Sequence, residues 1–130
     1  VVVQRRPNGI NRAVSLAEIS VFTLDPAQDR REMQFHMLAE MSSNPRNLPL
    51  TRATDRIMTS VLQTDATTDS EWIRVDLQTI RAIARVVVYA QSGNELVLTE
   101  CDLQILDDQR RLVRTVPFPT AIQNSYVFEL

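Results

Sequence analysis

The chain has 130 residues, 44% of them hydrophobic, with a net charge of −2 and a pI near 5.4. That length builds one domain with a sizeable core and needs no metal or disulfide to do so. The acidic balance excludes a general nucleic-acid binder, which needs a basic footprint, and the single cysteine, Cys101, excludes an intrachain disulfide. All 14 basic residues are arginine. No apolar run reaches membrane-spanning length, and no signal-peptide pattern is present. The opening VVVQRR lacks Met and is already strand-like. The chain is therefore expected to be one domain, residues 1–130, cut from a longer protein.

Val1–Arg5 is predicted to be a strand, ended by the turn signal Pro7-Asn8-Gly9. In Ser15–Phe22, Ala17, Ile19 and Val21 alternate with Glu18, Ser20 and Phe22, the pattern of a half-buried strand. These two runs are expected to pair. Leu24–Met41 allows two readings. Asp25-Pro26 would cap a helix that puts Met33, Met37 and Met41 on one face. The other reading is a loop to about Glu32 and a strand through Gln34–Ser43, which the all-β surroundings favour.

Asn44–Asp55 is a loop by its prolines and polar residues, and Ile57–Leu62 a short turn or strand. Thr64–Ser70 is a polar loop. Glu71–Ala90 carries two apolar runs. Ile73, Val75 and Leu77 alternate with Trp72, Arg74 and Asp76; Ala84–Ala90 is rich in β-branched residues. Lying so close, they are expected to be neighbouring strands of one sheet, and Trp72 is either a buried plug or an exposed binding residue. Gln91–Asn94 is a turn, Val97–Leu106 a strand with Cys101, Leu103 and Ile105 inward, and Asp107–Arg110 a tight hairpin feeding Leu112–Val116. Tyr126–Leu130 closes the domain. Each buried Val, Leu or Ile contributes about 1.5–3 kcal/mol. About eight short strands predict an all-β, antiparallel jelly-roll β-sandwich.

The ordered set SLAEISVF, Asp55, Gln63-Thr64, EWIRVDL, IARVVVYAQ, CDLQILD and the Tyr126–Leu130 end resembles the discoidin-like, or galactose-binding-like, β-sandwich family. It is similar to versions in structural proteins of large DNA viruses and in algal surface proteins. The resemblance implies a non-catalytic module that binds glycans, lipid headgroups or proteins through loops at one end. Carried over by position, it points to loop residues Gln63, Thr64, Gln91 and Asn94. It also sets Glu18, Asp55 and Ser60 where relatives hold a structural calcium. Two readings stand for these three: oxygens of a calcium site, or an edge charge and turn residues. Arg56 and Ile57 replace the Gly and Asn that usually follow the loop carboxylate. The basic side chains with which fucose-binding relatives hold sugar are replaced by Gln63 and Gln91.

Other chemistry is sparse. His36 is the only histidine, so a paired-histidine metal site is excluded. A Cys101–His36 pair has the residue types of a nucleophile, but Cys101 alternates with core residues. Ser15, Ser42, Ser43 and Ser60 lie in no nucleophile-elbow sequence. Asp65 and Asp69 in a Thr-rich loop read as solvated acids before a glycosidase pair, and Arg5-Arg6, Arg30-Arg31 and Arg110-Arg111 as solubility and edge protection before docking onto an acidic neighbour. The expected function is a binding or assembly module of a larger structural protein, in a virion or at a cell surface, with a protein partner. A carbohydrate-binding adhesion module is the alternative.

Overall fold

The computed structural model describes residues 1–24, 30–32 and 37–130, with the side chains of 30–32 excepted. The fold is all-β and antiparallel. Eleven described strands run in chain order: β1 Val2–Arg5, β2 Ser15–Leu16, β3 Glu18–Leu24, β4 Arg30–Glu32, β5 Leu38–Met41 and β6 Leu62–Gln63. β7 Trp72–Asp76, β8 Ile83–Tyr89, β9 Cys101–Leu106, β10 Leu112–Pro117 and β11 Ser125–Glu129 follow. They form a five-stranded sheet in the order β10-β9-β1-β7-β5, a four-stranded sheet in the order β11-β8-β3-β4, and the small pair β2-β6.

Period-two alternation builds one core from residues of both larger sheets. Val3, Ile73, Val75, Cys101 and Leu103 come from one; Ile19, Val21, Val86, Val88, Tyr126 and Phe128 come from the other. Phe118, just past β10, stands edge-on to Tyr126 at 5.2 Å and to Phe128 at 4.8 Å between ring centroids. These aromatic contacts lock the two sheets together along one side.

The strand partners differ from the sequence expectation. β1 does not pair with β3; it lies between β7 and β9, with Val3 opposite both Ile73 and Leu103. β3 pairs with β8 and β4 in the other sheet. β7 and β8 are not neighbours either. The link 77–82, with Gln78 at φ 60°, carries the chain from one sheet to the other. Six residues without hairpin-turn chemistry suit a crossover better than a tight return.

Burial corrects three further readings. The run 15–22 is two strands broken at Ala17, and Glu18 and Ser20 on its supposed solvent face are buried with Ile19 and Val21. Trp72 is half-buried on the outer face of its sheet, where the Arg74 guanidinium lies 4.8 Å from its ring centroid. It is no interior plug. Arg5, read as an edge charge, shares the inward side of β1 with Val3 and is 1% exposed.

In the 24–41 stretch, the loop reading gives way to β4 at Arg30–Glu32, while β5 at Leu38–Met41 falls within the expected strand. Asp25-Pro26, Met33 and His36 lie outside the described residues. The strand expected over Val97–Leu106 begins only at Cys101, because Glu95–Glu100 forms a 3-10 helix.

Candidate functional site

The register sets Arg5, Trp72 and Cys101 at one end of the five-stranded sheet, and Glu18, Tyr89 and Ser125 at one end of the other. Loops 6–14, 42–71, 90–100 and 118–124 gather there. The Asp107–Arg110 hairpin and the 77–82 crossover occupy the opposite end.

Hydrogen bonds from side chains hold the loops in place. Glu71 is only 2% exposed. Its Oε1 accepts the Ser43 hydroxyl at 2.6 Å and the Ser42 hydroxyl at 3.1 Å, and its Oε2 accepts the Thr68 hydroxyl at 2.5 Å. Burial pushes this carboxyl up, but the hydroxyls of Ser43, Thr68 and Ser42 outweigh burial and leave it below the usual carboxylate range. Ser43 Oγ in turn accepts the Asp65 N–H at 2.8 Å, and Ser42 Oγ the Trp72 N–H at 2.9 Å. The 6–14 loop is tied in by Gly9 N–H on Asp69 Oδ2 and by the Asn11 amide on the Thr67 carbonyl, each at 3.0 Å.

Of the four loop residues implied by the resemblance, three are brought together. Ser15 is the link: it pairs with Gln63 across β2 and β6, and its Oγ accepts the Asn94 amide at 2.8 Å. Gln91 opens the same turn, its carbonyl accepting the Asn94 N–H at 3.0 Å. The buried Gln91 Oε1 has no hydrogen-bond partner among the described residues. Thr64 is different. It is 2% exposed, and its hydroxyl accepts the Val14 N–H and donates to the Asp65 carbonyl, both at 2.9 Å. Both its hydrogen-bonding roles serve the scaffold.

Glu18 meets the loop that carries Asp55 and Ser60. Loop 55–60 folds against Glu18, whose Oε2 accepts the Arg56 N–H at 2.9 Å. Asp55 Oδ1 accepts the Ile57 N–H at 2.9 Å, and Ser60 N–H donates to the Ile57 carbonyl at 3.0 Å. Two carboxylates and a hydroxyl fall short of the roughly six to eight hard oxygens calcium takes. Among the described residues no group of three or more His, Cys, Asp or Glu side chains is gathered for a metal.

Cys101 is wholly buried. Burial pushes its thiol up to about 12, against the pull of the nearby Arg5 and Arg6 charges. A thiol so protonated is a core group and not a nucleophile.

The sequence reading passed over what these loops display. Ile10, Leu50, Ile57, Met58, Leu96 and Ile122 are between 38% and 62% exposed. Their backbone is well fixed. Asn44 clasps Leu48 through both ends of its amide at 2.9 Å, ahead of the 3-10 turn Leu50–Ala53. The Tyr126 hydroxyl accepts the Gln123 N–H at 3.1 Å and donates to the Ala121 carbonyl at 3.2 Å, on either side of Ile122. The available signal was apolar residues inside segments otherwise made of Pro, Asn, Asp and Thr.

Scans against family models, curated proteins and solved structures each found no match for this chain.

Proposed function

We propose that this domain is a non-catalytic binding and assembly module of a larger structural protein, in a virion or at a cell surface. It meets a protein partner through the loop end described above. The observation that carries this reading is the set of exposed apolar side chains on several separate loops, each loop pinned by hydrogen bonds. Apolar groups on a fixed backbone give contact area without an ordering cost, which is what a protein interface rewards. Kinship with discoidin-like jelly rolls supports the reading, because members bind through loops at one end. Two features support that kinship: the order of the quoted segments, and the crossings between the five- and four-stranded sheets at β7 to β8, β8 to β9 and β10 to β11.

A carbohydrate-binding module is the second reading. The grouping of Gln63, Gln91 and Asn94 around Ser15 favours it, since amides suit sugar hydroxyls.

Photo-crosslinking in the parent assembly separates the two. A crosslinker at Met58 or Ile122 is expected to give protein adducts, and one at Val127, exposed on β11 of the four-stranded sheet, is not. Equal labelling at all three positions overturns the loop-end reading. On a glycan array, selective sugar binding that is lost on Gln63→Ala and Gln91→Ala overturns the protein-partner reading in favour of the second.

A further inference from the structure

Strand β10 stands apart from the other strands whose burial is described: five of its six residues are exposed and the sixth is half-buried. Leu112 is 57% and Val113 66% exposed. Cover on its inner side thins along the strand. Phe118 is sealed against Tyr126 and Phe128, Val116 is half-buried, and Arg114 on the same side is exposed. Among the described residues β10 is also an edge strand, paired only with β9.

Its free edge can be read atom by atom. Phe118 N–H donates to the Cys101 carbonyl at 3.0 Å. By antiparallel alternation Val116 and Arg114 also turn their backbone groups toward β9, and Thr115 and Pro117 turn theirs outward. Proline has no N–H to offer. The free edge therefore presents Thr115 N–H and C=O and the Pro117 C=O. A bulge between Leu112 and Arg114 ends the regular register.

Charge selects the occupant. From Gln109 to Phe128 the chain carries Arg110, Arg111 and Arg114 and no Asp or Glu. Arg111 is held by Asp107 at 2.9 Å, and Arg110 reaches Glu40 at 3.9 Å. Arg114 has no carboxylate in ion-pair range among the described residues. It lines a groove of mixed charge, in which Arg74, Arg81, Arg110 and Arg114 outnumber Asp76, Asp107 and Asp108.

We propose that the free edge of β10 receives an extended segment of a partner protein as a further strand, its apolar side chains alternating with acids, one of which meets Arg114. Strand addition draws affinity from main-chain hydrogen bonds and specificity from alternate side chains. A second copy of this chain is a poor occupant. Pairing β10 with itself about Thr115 sets the two Arg114 side chains diagonally on one face, within about 7–8 Å of each other. The competing account is that arginines and Pro117 merely blunt the edge.

Amide exchange on the isotope-labelled domain decides between them. The probes are a short peptide alternating Glu with Val and Thr, and the same peptide with Lys for Glu. The Glu peptide is expected to slow exchange of the Thr115 N–H about tenfold or more, and the Lys peptide to leave it unchanged. Arg114→Glu, an exposed change, is expected to reverse that preference while the rest of the spectrum stays native. No slowing at Thr115, or equal slowing by both peptides, overturns the proposal. So does slowing that rises with protein concentration alone, which marks self-pairing. Ile57→Ser or Met58→Ser at the loop end leaves this binding intact, so failure of one surface is distinguishable from failure of the other.

Discussion

Arg5 and Glu100 meet at 2.8 Å, the Arg5 side chain wholly out of solvent and the Glu100 side chain 34% exposed. Glu100 also takes Arg12 at 3.4 Å from the exposed side. Arg5 Nε and Nη2 are buried and have no hydrogen-bond partner among the described residues, so the charge depends heavily on this one carboxylate. Removing one partner of a buried ion pair strands the other. Glu100→Gln is expected to cost about 2 kcal/mol, below the value for a fully buried pair because water reaches Glu100. Arg5→Met added to Glu100→Gln is expected to restore most of that loss. Urea unfolding of the wild type, both single variants and the double variant measures the cycle. Additive losses would count against it.

Glu71 predicts acid sensitivity. Its folded carboxyl titrates below the ordinary 4.5 because three hydroxyls favour the charged form over the opposing effect of burial. A depressed acid contributes stability that is fully present above the unfolded value and is lost as pH falls through the folded one. Thermal stability is therefore expected to drop as pH is lowered below about 4.5. Glu71→Gln should flatten that part of the profile while lowering stability at neutral pH. A wild-type profile parallel to that of the variant contradicts this.

Cys101 titrates in the other direction. The thiol rises from about 9 to about 12 on folding. The stability tied to its neutral form is present below pH 9 and is lost as pH climbs from there toward 12. At neutral pH a thiol reagent is expected to react only with unfolded chains, so its rate follows the unfolded fraction in denaturant. Rapid labelling of the native protein contradicts burial.

Trp72, the single tryptophan, is half-buried under Arg74. Trp72→Ala is expected to cost about 1–2 kcal/mol, from lost packing and a cation–π contact. Leu103→Ala, in the interior, is expected to cost about 2–5 kcal/mol. Native fluorescence should be partly quenched by iodide. If the two variants melt together, the placement of Trp72 is wrong.

Strands were legible in the sequence wherever one period ran without interruption. Trp72–Asp76, Ile83–Tyr89 and the hairpin at Asp107–Arg110 needed only alternation and turn chemistry. Partners were not legible, because alternation says which side chains share a face and nothing about which strand lies alongside. Hence two runs six residues apart, expected in one sheet, lie in two. Glu18, Ser20 and Arg5 escaped for a related reason. Polar residue type argued for solvent, and only loops folding over them from far along the chain reverse that. Period two had already put Arg5 on the side of Val3. Of the candidate site, Ser15 supplies the grouping of Gln63, Gln91 and Asn94, and no local pattern marked that serine.

The carboxylate of Glu71 is a knot shared by Ser42, Ser43 and Thr68, while its backbone carbonyl anchors the end of β1 through Arg5 N–H at 3.0 Å. Segments far apart along the chain thus answer to a single residue. Loss of that one charge is therefore expected to loosen all of them together.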